Sequence, residues 1–92
     1  MKLGSWVKQP QEREVFEISL QEALEVGDRL TNAVLSVSPA GLVIDDYTVL
    51  NDAVKIWVLS GVAATDYRIT ALITTLAGRS LEDFVIIKVR QF

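Results

Sequence analysis

The sequence predicts an all-β domain, a sandwich of about seven short strands with one short helical turn. Apolar and polar residues alternate with period two in at least five segments, and turn-forming residues separate these segments at close intervals. Helical periodicity is weak except between residues 20 and 25. A length of 92 residues fits one domain. We divide it into an N-terminal arm, residues 1–12, and a sandwich, residues 13–92.

The N-terminal part combines the arm, a strand and the helical turn. Residues 1–12 show no alternation, so we expect no regular strand there. Residues 14–18 alternate around two apolar positions and predict a half-buried strand. Ser19 and Glu22 have the spacing of a capping box, and Gly27 suits a helix end, which predicts one or two helical turns.

The rest of the chain consists of strands and turns. Pro39 and Gly41 favour a turn, Asp45-Asp46 is expected to interrupt a strand, and Ser60-Gly61 is expected to end one. The predicted strands, each rich in β-branched, aromatic or alternating apolar residues, span 29–37, 42–44, 47–50, 53–59, 67–75 and 81–90.

Tyr67 suggests the type of sandwich. It begins the penultimate predicted strand after Gly61, and this segment resembles the tyrosine corner of fibronectin type III and immunoglobulin-like domains. In such a corner the phenol hydroxyl satisfies a backbone group that is left unpaired where the chain changes sheets. The alternative is an ordinary core tyrosine. The corner favours an immunoglobulin-like or fibronectin type III-like sandwich.

Composition argues against several classes of function. The chain has no cysteine and no histidine, so thiol and histidine-activated nucleophiles are excluded, and common zinc sites lose both preferred ligands. Nine basic and twelve acidic residues give a net charge of −3 without a basic stripe, which argues against nucleic acid. Apolar runs such as 57–59 are too short to span a membrane. We expect no enzyme activity, no cofactor and no metal.

Three aspartates lie close together in the sequence and are a candidate site. Asp45, Asp46 and Asp52 could form a cation site or a pair of acid/base carboxylates. Calcium usually takes six or more oxygen ligands, however, and the ligand spacing in this segment is sparse. Solvated turn residues are the favoured interpretation.

A candidate protein interface lies on the last predicted strands. Phe84 and Ile86 lie opposite in phase to the apolar positions 85, 87 and 89, so both faces of that strand are apolar. Leu72, on the outer face of the preceding strand, extends the same patch. The patch either docks another chain or is covered by the helical turn or the arm.

The two tryptophans are further interface candidates. Trp57 lies opposite in phase to its neighbours Ile56 and Val58, and it is either a core residue or an interface anchor. Trp6 and Val7 lie in the arm. We expect Trp6 to fill either the seam of its own sandwich or, as we favour, a pocket on a neighbouring subunit.

Six short motifs follow one another along the chain. They are Trp6-x-Lys-x-Pro10, Gly27-Asp28, Gly41-Leu42-Val43, the Trp57–Gly61 stretch, Tyr67 and the Ile73-x-Thr-x-x-Gly-Arg79 turn. In order and spacing, over about 85 residues, they resemble the phage fibre–tail adaptor family of small virion proteins.

The resemblance implies a structural protein of a phage or prophage tail. It implies an immunoglobulin-like sandwich, assembled in several copies where fibres or spikes join the tail, with other tail proteins as partners and no nucleic acid or membrane. The location implied is the virion tail, after synthesis in the bacterial host cytoplasm, which the absence of cysteine permits. The alternative function is a carbohydrate- or surface-binding module of a larger assembly.

Overall fold

Seven strands in two sheets form the structure, a computed structural model that describes residues 2–91 and the side chains of residues 6–91. One 3-10 helical turn, Gln21–Ala23, is the only helix within these residues. The strands are β1 (Lys2–Lys8), β2 (Glu14–Ser19), β3 (Leu30–Ser38), β4 (Leu42–Val49), β5 (Ala53–Ser60), β6 (Thr65–Thr75) and β7 (Ser80–Val89). The predicted all-β class, with one short helical turn, is confirmed.

The strands are divided between a four-stranded and a three-stranded sheet. The four-stranded sheet has the order β1-β7-β6-β3, and the three-stranded sheet has the order β2-β5-β4. β1 runs parallel to β7, whereas every other pair is antiparallel. β1, β3, β2 and β4 are therefore the edge strands.

The core is built from the inward-facing positions of both sheets. Period-two burial is clearest on β5, β6 and β7, whose inner side chains are almost wholly removed from water. The apolar positions 85, 87 and 89 of β7 face inward, opposite to Phe84 and Ile86, as predicted. The fully enclosed aliphatic residues of these strands are Val54, Ile56, Val58, Ile69, Ala71, Ile73, Val85, Ile87 and Val89.

One predicted interruption and one predicted helix cap are wrong. Asp45 and Asp46 lie within a single strand, β4, because a register shift between Ile44 and Asp46 accommodates an extra residue as a bulge. Ser19 is the last residue of β2, where it pairs with Ala53, so it does not cap the helical turn. Leu20 occupies the cap position without a side-chain hydrogen bond.

The first segment also differs from expectation. Residues Lys2–Lys8 form β1, although their sequence lacks alternation. The strand forms because β7 offers a free edge on the side away from β6, and such a partner cannot be read from local sequence. The division of the chain at residues 12 and 13 stays a prediction.

Candidate interaction surfaces

An apolar band crosses the outer face of the four-stranded sheet diagonally. Val34 on β3 pairs with Leu72 on β6, and Leu72 lies two residues from Thr70, the partner of Phe84 on β7. Diagonal neighbours of this kind remain within reach of large side chains. The outer band consists of Val34, Leu72, Phe84, Ile86 and Val7.

The outer band is open to solvent at three positions. The exposed fractions are 53% for Val7, 59% for Val34 and 48% for Leu72, whereas Phe84 and Ile86 are half-buried. The sequence placed Leu72, Phe84 and Ile86 on an outer face, and the structure brings them together there. Aliphatic side chains grouped in this way on a sheet face can dock a complementary apolar surface.

Arg68 shields the aromatic member of the outer band. Its guanidinium carbon lies 4.0 Å from the centroid of the Phe84 ring, which is a cation–π distance. Arg90, which directly follows β7, forms an ion pair at 2.7 Å with Asp66 on β6. The outer band therefore has an apolar centre and charged neighbours, the arrangement found in many protein interfaces.

Trp57 lies outside the core, on the outer face of the three-stranded sheet. It is half-buried, and it pairs with Val15 on β2 while its neighbours Ile56 and Val58 face the core. The Arg13 guanidinium lies 6.0 Å from its ring and also binds the Asp45 carboxylate at 2.8 Å. Of the two positions considered for Trp57, the structure supports the outer face.

Trp6 packs within its own chain. Its ring centroid lies 5.4 Å from that of Phe16, and the side chain contacts the core from a half-buried position. Val7, the next residue, faces outward beside Lys88. β1 therefore contributes one tryptophan to the seam of the sandwich and one valine to the outer band.

Asp45 and Asp46, two of the aspartates of the candidate cation site, make structural contacts within the chain. Besides the Asp45 ion pair, Asp46 accepts a hydrogen bond at 2.8 Å from the Tyr47 N–H. Asp83 lies near the start of a strand, where a solvated edge residue would be expected, but it is buried because it faces inward on β7 in phase with Val85. No group of three acidic residues suited to a metal ion occurs within residues 2–91.

Three changes of sheet meet at one end of the sandwich, which we call the corner end. The Tyr67 hydroxyl accepts a hydrogen bond at 2.9 Å from the Val62 N–H, just after β5 leaves the three-stranded sheet. A Cβ placed on Gly41, which precedes β4, would lie 2.7 Å from the same hydroxyl. The hydrogen bond expected of a tyrosine corner is therefore present.

Lys8 joins two of these changes of sheet. Its ammonium donates to the carbonyls of Ser60 at 2.5 Å, Gln9 at 2.6 Å and Pro10 at 3.3 Å. The side chain is almost fully buried, and this desolvation lowers the pKa of the ammonium, although Glu12 and Glu14 oppose the shift. Lys8 therefore holds the exit of β1 against the end of β5.

At the opposite end, which we call the hairpin end, Asp28 connects two loops. Its Oδ1 accepts hydrogen bonds from the N–H groups of Arg29 at 2.9 Å and Ala77 at 3.0 Å. Desolvation alone would raise the pKa of this carboxyl, but hydrogen bonds from Ala77, Thr75 and Arg29 and the charge of Arg79 lower it overall. Arg79 also donates to the Ala23 carbonyl at 3.0 Å, which secures the helical turn.

A comparison with protein families gives a match over most of the chain. The family described as podophage GP4 fiber-tail adaptor protein gp77 matches residues 8–88. The chain belongs to this family. It is a structural phage-tail protein, and membership implies a place in the virion and other tail proteins as binding partners.

Two further findings concern curated relatives and membrane-spanning helices. No curated protein matches the adaptor. Within residues 2–91, no helix is long and apolar enough to cross a membrane.

The motifs that carried the resemblance are mostly structural in this adaptor. Lys8, Gly41, Gly61 and Tyr67 belong to the corner end, whereas Asp28 and the Thr75–Arg79 turn belong to the hairpin end. They hold the ends of the sandwich together, which is a role in the fold.

Sequence analysis missed two residues of the outer band region. Val34 alternates with the half-buried Leu35, a signal that it faces outward, but its pairing with Leu72 depends on strand register. Arg68 has the phase of Leu72 on β6, but its contact with Phe84 also depends on the pairing of β6 with β7. Register between distant strands is not encoded in local patterns.

Proposed function

We propose that this adaptor joins tail fibres or spikes to the phage tail through protein–protein contacts made by the outer band. The supporting observation is the diagonal of apolar side chains across all four strands, with Val7, Val34 and Leu72 about half exposed. Removing aliphatic surface of this kind from water gives a favourable free energy of about 25 cal/mol per Å². The proposal includes several copies of the adaptor per virion, made in the host cytoplasm, and no catalytic step.

The alternative, a carbohydrate-binding module, has less support. Sugar-binding surfaces use exposed aromatic rings that stack on the sugar. Trp57 and Phe84 lie on opposite sheets, and Arg68 covers the Phe84 ring. These two rings therefore cannot form one platform.

The test is complementation of a phage that lacks the gene for this chain. Phe84→Asp and Val7→Asp place a charge in the outer band on β7 and β1, and we expect each variant to fold but to yield particles without fibres. Val15→Asp is the matched control, since Val15 is 47% exposed on the opposite sheet. Circular dichroism of each purified variant reports folding, and mass spectrometry of purified particles reports fibre content.

Two results would contradict the proposal. One is a normal fibre content in particles carrying Phe84→Asp or Val7→Asp. The other is equal loss of fibres with the Val15→Asp control, because the effect would then not depend on the outer band. A Phe84→Asp variant that fails to fold would place Phe84 in the core, and Val7→Asp then decides the outcome.

A further inference from the structure

The sandwich is open along the seam between β3 and β4. These strands are edges of different sheets, and no described strand pairs with either of them on the seam side. A groove of about 490 Å³, which we call the seam groove, runs between them, and this volume is usual for a binding pocket. Residues 32–35 and 44–47 line it, so it is long enough for about four residues of extended chain.

The walls of the seam groove are apolar side chains that point toward the core. Tyr47 on β4 pairs with the fully buried Ile56, and opposed residues on antiparallel strands point to the same face of a sheet. Tyr47 is nevertheless 44% exposed, and Ile44 is half-buried. Leu35 on β3 is also half-buried, although its partner Ala71 is fully buried. The two sheets therefore leave inward-facing apolar surface uncovered at this seam.

The β4 side of the seam groove is acidic. Asp45 and Asp46 line it, whereas β3 carries no charged residue. Arg13 compensates Asp45 through their ion pair at 2.8 Å. Asp46 accepts a hydrogen bond from the Tyr47 N–H, but it has no cationic partner within residues 6–91. The seam groove therefore combines an apolar interior with one uncompensated negative charge at its rim.

The edges of the seam groove also offer backbone hydrogen-bonding groups. Alternate N–H and C=O groups of β3 point away from β6, and those of β4 point away from β5. An extended peptide along such an edge pairs with these groups, and its alternate side chains enter the pocket beneath. Small molecules bind in sites that enclose most of their surface, so this open groove suits an extended peptide better.

We propose that the seam groove binds an extended segment of another tail protein, in which a lysine or arginine lies next to an apolar side chain. The apolar side chain fills the space between Leu35 and Tyr47, and the cation pairs with Asp46. This inference rests on the proposed function, because an adaptor has at least two partners and the outer band accounts for one contact. Val34 lies at the border of the two surfaces, and the rest of the seam groove lies outside the outer band.

Charge favours a different protein over a second copy of this chain. The chain has a net charge of −3, so each copy would bring an acidic surface to an acidic groove. Its own strand β1 ends in a lysine, but β1 is paired along β7, and the Lys8 ammonium is buried against the Ser60 carbonyl. A basic segment of another protein is the electrostatically complementary occupant.

Photo-crosslinking in the virion tests the occupant directly. A phage that lacks the gene for this chain is complemented with a chain carrying p-benzoylphenylalanine at Tyr47, which keeps an aromatic ring in the seam groove, or at Asn32, which is exposed on the β3 wall. We expect both positions to link, under ultraviolet light, to the same segment of one other tail protein. Mass spectrometry of purified particles should find lysine or arginine next to an apolar residue in that segment. The matched control is the same photo-crosslinker at Val15, exposed on the opposite sheet, and it should not reach this segment.

Charge reversal gives the second measurement. Asp46→Lys should weaken the crosslink from position 47 roughly tenfold or more, because an attractive pair becomes a repulsive one. Asp52→Lys, the same charge change at an exposed turn, should leave the crosslink unchanged.

Four results would overturn the inference: no crosslink from either groove position, a link to a second copy of this chain, a linked segment without lysine or arginine, or an unchanged crosslink with Asp46→Lys. Each of these leaves the outer band unaffected, since Phe84→Asp and Val7→Asp test fibre attachment on strands away from the seam groove. Loss of fibres with those two variants and an absent groove crosslink would therefore exclude the seam groove alone.

Discussion

A single hydroxyl group at the corner end joins β6 to the segment that crosses between the two sheets. Tyr67 is almost fully buried, and its ring packs in the core while its oxygen reaches the Val62 N–H, five residues earlier. The chain leaves β5 there before it enters β6, so this N–H has no strand partner among the described residues. The position of this tyrosine could be predicted from sequence because the motif is local.

Tyr67→Phe should lower the free energy of unfolding by about 1–2 kcal/mol, the usual effect of leaving a buried polar group without its hydrogen bond. Urea denaturation followed by fluorescence measures the change. Tyr47→Phe is the control, because Tyr47 is exposed on β4 and loss of its hydroxyl should leave the midpoint unchanged. Equal midpoints for Tyr67→Phe and the unmodified chain would mean that water replaces the hydroxyl.

Gly41 is restricted by the same hydroxyl. Its φ is +131°, and an added Cβ would lie 2.7 Å from the Tyr67 oxygen. We therefore expect Gly41→Ala to destabilise the protein by about 2–3 kcal/mol, from backbone strain and the close contact together.

Gly78→Ala provides the matched comparison for Gly41→Ala. Gly78 also has a positive φ, +83°, but nothing lies within 4 Å of an added Cβ, so only the backbone term of about 1 kcal/mol applies. Combining Gly41→Ala with Tyr67→Phe should recover part of the loss, because the phenol oxygen is gone. Strict additivity of the two changes would show that the contact with the hydroxyl is unimportant.

At the scale of the element, β1 shows what local patterns cannot supply. Residues 2–8 lack alternation, yet they pair along β7 and direct Trp6 into the seam beside Phe16. β4 shows the complementary error, since two aspartates favour a turn locally but occupy a bulge in a continuous strand. Strands that depend on partners or bulges require knowledge of the whole sheet, whereas the self-contained alternation of β6 and β7 suffices to predict them.

Fluorescence of a Trp57→Phe variant tests the placement of Trp6. With Trp57 removed, Trp6 is the only remaining tryptophan. Packing against Phe16 within one chain predicts a blue-shifted emission that resists quenching even in dilute protein. A red-shifted, readily quenched emission would instead favour donation of Trp6 to a neighbouring subunit.

Asp28 makes the connection between two loops sensitive to acid. Its folded-state pKa lies below the ordinary value of 3.8, since hydrogen bonds from Ala77, Thr75 and Arg29 outweigh desolvation. The ionised carboxylate therefore stabilises the fold fully above the unfolded-state pKa, and this contribution is lost as the pH falls through the folded-state value.

Asp28→Asn should be less stable than the unmodified chain at neutral pH, with a difference that shrinks as the pH falls below about 3.8. Urea denaturation at a series of pH values measures the difference between the two proteins. Asp52→Asn at an exposed turn is the control. A pH-independent difference for Asp28→Asn would exclude a role for the charge.

At the scale of the whole molecule, the sequence predicts the fold class better than it predicts the order of the strands in each sheet. Seven strands were expected and residues 2–91 contain seven, but the expected set splits β4 into two strands and omits β1. The outer positions of Leu72, Phe84 and Ile86 follow from alternation, whereas their assembly with Val34 and Val7 into one band follows from the strand order β1-β7-β6-β3. Strand order depends on contacts between distant segments, which no local pattern records.

The parallel pairing of β1 with β7 has a consequence for how the protein responds to mechanical tension. Tension between the start of β1 and the end of β7 acts along both strands, so the hydrogen bonds between them share the load and must break together. An antiparallel pair pulled at its open end would separate one bond at a time. In single-molecule pulling through residues 2 and 89 we expect one abrupt rupture, whereas gradual peeling at low force would contradict this geometry.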